Sequence, residues 1–163
     1  MVTVMRAERR SPVLSPSNLA CLSHIPTINL TAGCSIGCVY CYTLGYSSNP
    51  GEGKILLYEN TLEKLKAELS RRGKKPRAVF FSPSSDLFQP VPEVLALGYQ
   101  VLEFLFSKGI GVVFLTKGQI PDNAMDLLLS HAGMVKAEIG IITLDEEIAR
   151  AFEPNAAHPK VRL

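Results

Sequence analysis

The 163-residue chain lacks several features that would place it in a specialised class of protein. Its longest apolar run, Gly109–Leu115, is far shorter than the ~18–20 residues that a membrane span requires. No apolar segment follows the N-terminal arginines, so a secretory signal is not expected. The formal net charge of +2 is too small to indicate nucleic-acid binding by itself. These absences favour a soluble, cytoplasmic protein with no membrane partner.

The composition nevertheless supports a folded domain. Hydrophobic residues make up 47% of the chain and charged residues 20%, which excludes disorder along the whole length. The length suits one domain or part of a larger one. Four cysteines are too few for a disulfide scaffold, and three of them lie within one short stretch, Cys34–Cys41. In a reducing compartment such a cluster indicates metal binding or redox chemistry.

Short apolar runs alternate with helical patterns from residue 27 onward, which is typical of an α/β fold. The predicted strands are Thr27–Thr31, Ala78–Phe81, Gly111–Leu115 and Ala137–Ile142. The predicted helices follow Asn60, run over Pro92–Lys108 and Pro121–Ser130, and begin at Glu146. A Gly- and Cys-rich loop from Ala32 to about Gly53 precedes the first helix. This alternation implies parallel strands joined by right-handed crossovers.

The four βα units correspond to half of a (β/α)₈ barrel. We therefore expect a partial (β/α) barrel of parallel strands that is truncated at the C-terminus. Residues 1–25 show no sustained period and are expected to form an N-terminal arm, with residues 26–163 as the core. Asn60 with Glu63 predicts a capping box at the first helix, and Asp145 predicts the cap of the last helix.

The strongest chemical signal is the spacing Cys34-x3-Cys38-x2-Cys41 on the loop after the first predicted strand. Thiolates are the usual ligands of iron–sulfur clusters, and three so close together must surround a single centre. Gly33 and Gly37 permit the tight backbone that this needs. Three protein ligands on a four-iron cluster leave one iron free for a substrate or cofactor. The loop also leaves the C-terminal end of a strand, where α/β folds place their active sites.

A structural zinc site is the alternative interpretation of the same residues. Zinc takes four ligands, commonly as closely spaced pairs, and Cys21 with His24 could join the triplet in a zinc-stabilised binding module. The triplet matches paired zinc ligands poorly. A ferredoxin arrangement needs a further cysteine at the position that Gly45 occupies, so the sequence excludes it.

At these residues the sequence resembles the radical S-adenosylmethionine (SAM) superfamily, and within it the spore photoproduct lyase-like, or DNA repair photolyase-like, branch. The segments that carry the resemblance are Gly33–Tyr42, Ser82–Pro90, Leu115–Lys117, Ile142–Asp145 and Phe152–Pro154. The resemblance implies a [4Fe–4S] cluster that binds SAM, and reductive cleavage of SAM to a 5′-deoxyadenosyl radical that acts on an unknown substrate. It also implies an electron donor such as a flavodoxin or ferredoxin. Nucleic acid enters as a partner only by analogy with this branch.

The resemblance also implies roles for individual residues. Cys34, Cys38 and Cys41 match the cluster ligands, and Tyr40 matches an aromatic residue near the adenine. Further SAM contacts are expected from Ser84 or Ser85, from Lys117 to the SAM carboxylate, and from Thr143 on the ribose side. Each of these later residues follows the end of a predicted strand, so all could face one mouth of the fold.

Two features of the loop after the second predicted strand bear on the reaction. Spore photoproduct lyases use an additional cysteine there as a hydrogen donor, whereas this chain has Ser82–Ser85 and its spare Cys21 lies upstream. Repair of thymine photoproducts is therefore disfavoured. Asp86, next in the loop, is open to two interpretations, a catalytic acid or a helix-approach cap.

Overall fold

The computed structural model describes residues 2–17 and 23–163, which form an α/β fold with two small sheets. The strands are β1 (Thr3–Ala7), β2 (Thr27–Ile28), β3 (Thr31–Ala32), β4 (Lys54–Tyr58), β5 (Ala78–Phe81), β6 (Gly111–Thr116) and β7 (Val135–Ile139). The α-helices are α1 (Thr61–Arg71), α2 (Pro92–Ser107), α3 (Asp122–Ser130), α4 (Glu146–Phe152) and α5 (Pro159–Arg162). Short 3₁₀ helices span Tyr42–Gly45 and Ala132–Met134.

The main sheet has the order β2-β5-β6-β7, and every pair in it is parallel. Helices α1, α2 and α3 connect its successive strands, which confirms the predicted βα alternation. Within the described residues the sheet is open, with β2 and β7 at its edges. The structure is thus a partial rather than a closed barrel, as the sequence predicted.

The core lies between the main sheet and its helices. Phe81 on β5 pairs in register with Phe114 on β6, and both side chains are fully buried. Phe88 meets the Phe114 ring edge-on, with centroids 5.3 Å apart. Burying one such ring is worth about 1.5–3 kcal/mol, so this cluster fixes the sheet beneath the loop after β5.

The first predicted strand differs from expectation because the chain changes sheets within it. Residues 27–28 form β2 of the main sheet, whereas residues 31–32 form β3, which pairs antiparallel with β4 in a second sheet of order β1-β4-β3. Between them, Asn29 Oδ1 accepts a hydrogen bond from the Ser84 amide at 3.0 Å, and Leu30 O accepts one from the Tyr58 amide at 3.0 Å. The cysteine loop therefore starts from the junction of the two sheets.

The two predicted helix caps have different outcomes. Asp145 Oδ1 accepts the Ile148 amide at 3.0 Å, which confirms the cap of α4. The capping box at α1 is wrong, because Asn60 Oδ1 accepts the Arg9 amide at 2.8 Å and is not available to the helix.

The N-terminal segment carries a regular strand. β1 pairs with β4 in parallel over its whole length, and the arm is thereby joined to the second sheet. The proposed boundary after residue 25 stays a prediction, and residues 18–22 lie outside the described part. None of the helices in residues 2–17 and 23–163 combines the length and hydropathy that a bilayer span requires.

Candidate metal centre and cofactor site

The cysteine loop runs from the end of β3 to the 3₁₀ helix at residues 42–45, and two glycines shape it. Gly33 and Gly37 have φ values of +77° and +71°, in the left-handed region that favours glycine. A Cβ at Gly33 would lie 2.8 Å from the Lys54 carbonyl oxygen. This close approach to β4 bends the chain so that the residues after Gly33 return across the edge of the fold.

The three cysteines of this loop are free thiols and line a single cavity of about 370 Å³. All three are partly buried, and Asn155 lies in the same cavity wall. Across residues 2–17 and 23–163, no three His, Cys, Asp or Glu side chains lie close enough together to hold one metal ion. All three thiols nevertheless line one cavity, and thiolates are the usual ligands of iron–sulfur clusters.

Burial controls the pKa values of these thiols. It raises the pKa of Cys34 to about 12, and a hydrogen bond from the Ile36 backbone opposes the rise. Burial also raises the pKa of Cys38, while the positive charge of Lys117 lowers it. Without a cationic centre the Cys34 thiol stays protonated at neutral pH. Metal ligation requires the thiolate, so binding at this loop releases protons.

Gln89 braces the start of the cysteine loop from beneath. Its side chain is completely buried, and its Oε1 accepts the Ser35 amide at 2.8 Å. Its Nε2 donates to Thr31 Oγ1 and to the Asp86 carbonyl oxygen, each at 3.1 Å. The sequence alone predicts no role for Gln89, although a lone amide in the apolar stretch Leu87–Val91 is the available signal.

Asp86 joins the loop after β5 to the end of β6. Its Oδ1 accepts the Phe88 amide at 2.8 Å and the Thr116 hydroxyl at 2.7 Å. Its Oδ2 accepts the Lys117 amide at 2.7 Å. Both oxygens of this buried carboxylate are thus engaged by the protein. They join the loop to the end of β6 and do not cap α2, whose N-cap residue is Val91.

Tyr40 and Lys117, both predicted as SAM contacts, lie together at the outer side of the loop. The Lys117 Nζ is 5.5 Å from the centroid of the Tyr40 ring. Both reach the carboxylate of Glu153, to which the Tyr40 hydroxyl donates and from which the Lys117 Nζ is 3.8 Å distant. Burial, followed by the hydrogen bond to Glu153, raises the pKa of Tyr40.

Glu153 and Arg162 are functional candidates that the sequence analysis missed. Their side chains are almost completely buried, and Arg162 Nη2 lies 3.0 Å from Glu153 Oε2. Glu153 belongs to the Phe152–Pro154 segment of the family resemblance, which was the only signal for it.

The other predicted SAM contacts lie apart from the cysteine cavity. Ser84 lines a neighbouring cavity of about 220 Å³, and the two cavities share Gly33 in their walls. Ser85 Oγ is buried and makes no hydrogen bond within the described residues. Thr143 Oγ1 accepts the Asp145 amide at 3.1 Å, at the start of α4. The cavity that the cysteines line contains none of Tyr40, Ser84, Ser85, Lys117 and Thr143.

The structure describes some, but not all, of the residues in the zinc alternative. His24 is exposed and precedes β2 in the chain, whereas the cysteine loop follows β3. Cys21 lies outside the described residues. A zinc site that includes Cys21 therefore stays a prediction.

Comparison with known families identifies the class of protein. Residues 28–163 match the Radical SAM superfamily, and this match spans the cysteine loop and all of the main sheet except Thr27. The chain belongs to the radical SAM superfamily.

Curated relatives align with this chain over different lengths. An uncharacterized protein, ORF301, of Acidianus two-tailed virus is 24% identical over 174 residues, covering 94% of this chain and 57% of its own. A radical SAM Nalpha-GlyT isomerase of Pseudomonas phage M6 is 31% identical over 96 residues, covering 58% of this chain and 20% of its own.

Solved structures of spore photoproduct lyase share the fold. One mutant of that enzyme superposes with a TM-score of 0.72 at 19% identity, over 98% of this chain and 45% of the lyase. A variant with bound AdoMet and dinucleoside spore photoproduct gives a TM-score of 0.67 at 21% identity over the same shares. The chain spans about half the length of these proteins.

Proposed function

We propose that this chain binds a [4Fe–4S] cluster through Cys34, Cys38 and Cys41 and binds SAM beside it, as part of a radical SAM enzyme. The observation that carries the proposal is that these three free thiols, spaced x3 and x2, line one cavity in a chain of this superfamily. The cluster that these thiols would hold would supply the electron for reductive cleavage of SAM to methionine and a 5′-deoxyadenosyl radical, the species that would take a hydrogen atom from the substrate.

The chain's own residues hold and orient the bound groups. Gly33 and Gly37 let the loop turn so that its thiols reach one cavity, and Gln89 fixes the loop through the Ser35 amide. Lys117 would offer its ammonium to the SAM carboxylate, and the Tyr40 ring, whose centroid is 5.5 Å from that ammonium, would contact the adenine.

The remaining SAM contacts in this proposal are Ser84 or Ser85 and Thr143. The Ser85 hydroxyl supports this assignment because it is buried without a protein partner, and such a group gains from meeting a ligand. Thr143 is the weakest of the set, since its oxygen already accepts the Asp145 amide.

Metal analysis and SAM cleavage test the proposal together. After anaerobic reconstitution with iron and sulfide, we expect a brown protein that contains iron and sulfide in equal amounts. With dithionite and SAM it should release 5′-deoxyadenosine, measured by liquid chromatography. The matched control replaces all three loop cysteines by alanine and should retain neither iron nor activity.

Two results would contradict the proposal. A colourless protein with one zinc would favour the binding module that uses Cys21, His24 and the triplet. Stable iron uptake without 5′-deoxyadenosine would limit the function of this chain to cluster binding.

The partners follow from this chemistry. A reduced flavodoxin or ferredoxin supplies the electron, and a cytoplasmic location keeps the thiols reduced. Nucleic acid is proposed as a partner by analogy with the spore photoproduct lyase. Because Ser82–Ser85 contains no cysteine, the hydrogen donor of that lyase has no counterpart in this loop.

A further inference from the structure

A single carboxylate connects three distant parts of the chain beside the cysteine loop. The side chain of Glu153 is fully buried, and it contacts Tyr40, Lys117 and Arg162. These partners belong to the cysteine loop, to the end of β6 and to α5. Burying a carboxylate is costly unless cations pair with it, so the network depends on its two basic members.

The two cations are held in different ways. Arg162 is almost completely buried, lies 3.0 Å from Glu153 Oε2, and donates to the carbonyl oxygens of Ala157 and Gly140. The Lys117 side chain is 18% exposed, and its Nζ is 3.8 Å from Glu153 Oε1. Within the described residues the ammonium makes no hydrogen bond. The guanidinium of Arg162 thus uses its donors within the protein, whereas the N–H donors of the Lys117 ammonium remain available to a ligand.

The backbone around Glu153 fixes its position relative to the cysteines. The Phe152 carbonyl oxygen accepts the Val39 amide at 3.0 Å, and the Asn155 amide donates to Ile36 O at 3.1 Å. On the other side, the Ala157 amide donates to Lys117 O at 2.9 Å. The segment around Glu153 is therefore tied to both the cysteine loop and the end of β6.

Two cations face the carboxylate of Glu153, and the positive charge of Lys117 also acts on Cys38. The nearby Asp86 carboxylate is held by the Phe88 and Lys117 amides and the Thr116 hydroxyl, and it does not bond the Lys117 ammonium. An anionic group that approaches the cysteine loop from this side would therefore find an ammonium already oriented toward it.

We propose that Glu153 is a positioning residue for SAM: anchored by Arg162, its carboxylate holds the Lys117 ammonium in place for the carboxylate group of SAM. This inference rests on the proposed function. Glu153 itself touches no ligand in this role and acts through Lys117.

A double-mutant cycle on the full chain tests this role. Glu153→Asp keeps the charge but withdraws the carboxylate by one methylene, which releases Lys117. In reconstituted protein we expect the dissociation constant of SAM, measured by equilibrium dialysis, to rise about tenfold, the loss of one charge-assisted contact. In a Lys117→Met background the same substitution should have no further effect.

Controls separate positioning from folding. Glu146→Asp is the matched control, because this exposed glutamate of α4 pairs with His158 at 2.7 Å and should leave SAM binding unchanged. Arg162→Lys loosens the anchor from the other side and should also weaken SAM binding only when Lys117 is present. Unfolding midpoints and iron content are measured for every variant.

The outcomes distinguish this inference from the proposed function. If the unaltered protein retains no iron and binds no SAM, the proposed function fails. If it binds SAM but Glu153→Asp weakens binding equally with and without Lys117, the role of Glu153 is purely structural and the inference is overturned. No change of SAM affinity in Glu153→Asp or in Arg162→Lys would overturn it as well.

Discussion

The cysteine loop is braced from two sides, and the two braces differ in charge. On the inner side Gln89 is neutral, fully buried and hydrogen-bonded at both ends of its amide. On the outer side Glu153 is charged and faces two cations, of which Lys117 is only loosely held. A closed neutral brace can only stabilise the loop. The charged brace leaves a donor free and can therefore also serve a ligand.

This difference separates stability from ligand binding within one small site. Changes at the inner brace should lower the free energy of unfolding and leave the ligand affinity of the folded protein unchanged. Changes at the outer brace should alter ligand affinity. Removing a thiol that lies between the two braces should reduce cofactor binding more than a change at either brace.

The largest effect is expected from removing a thiol. Cys38→Ala leaves two ligands at the cavity, so iron content and 5′-deoxyadenosine release should fall to background even though both braces are intact. Iron analysis and chromatography measure this. Cys21→Ala is the matched control and should retain both. Loss of metal in Cys21→Ala would instead support the zinc module.

The inner brace should give the largest loss of stability. Gln89→Ala leaves the Ser35 amide and the Asp86 carbonyl oxygen without a partner and opens a cavity, which should cost about 3 kcal/mol. Urea denaturation measures the free energy of unfolding. Gln100→Ala, at an exposed position of α2, should stay within about 0.5 kcal/mol of the unaltered protein. A similar small loss for Gln89→Ala would show that this brace is dispensable.

A smaller loss is expected at the neighbouring carboxylate. Asp86→Asn keeps the shape but can accept on only one oxygen, so either the Lys117 amide or the Thr116 hydroxyl loses its acceptor. We expect a loss of about 2 kcal/mol in urea denaturation. Asp126→Asn, exposed on α3, provides the comparison and should have no measurable effect. If Asp86→Asn and Asp126→Asn had the same free energy of unfolding, the hydrogen bonds of Asp86 would not contribute to stability.

The smallest effect is expected from removing the Tyr40 hydroxyl, which belongs to the outer brace. Tyr40→Phe removes one hydrogen bond to Glu153 and leaves both cations in place. The dissociation constant of SAM should rise about two- to fivefold, the equivalent of roughly 0.5–1 kcal/mol. Tyr99→Phe is the control, because this tyrosine belongs to α2 and makes no contact with Glu153. An effect as large in Tyr99→Phe would show that the change at Tyr40 does not act through Glu153.

Local patterns predicted much of the main sheet. β5 has the bounds that its apolar run indicated, and β6 extends the predicted strand by one residue. The cap at Asp145 formed as expected because its partner, the Ile148 amide, lies only three residues away. Such features depend on neighbours in sequence, and a single sequence contains them.

Features that depend on distant partners could not be predicted in this way. The Ser35 amide meets Gln89 across 54 residues, and the Tyr40 hydroxyl meets Glu153 across 113. The cap predicted at Asn60 failed for the same reason, because its side chain accepts the Arg9 amide, 51 residues away, instead of capping its own helix. β4 was missed because its residues followed a Gly-rich loop and its partners in the second sheet lie far away in sequence.

The outer edge of β7 has a practical consequence for handling the protein. Lys136 and Glu138, 3.0 Å apart, place charge on one face of this strand, while Ala137 and Ile139 lie along an apolar groove on the other. Charged side chains discourage strands of separate molecules from joining edge to edge. Salt screens those charges but not the groove, so concentrated stocks should remain monodisperse longest in dilute buffer.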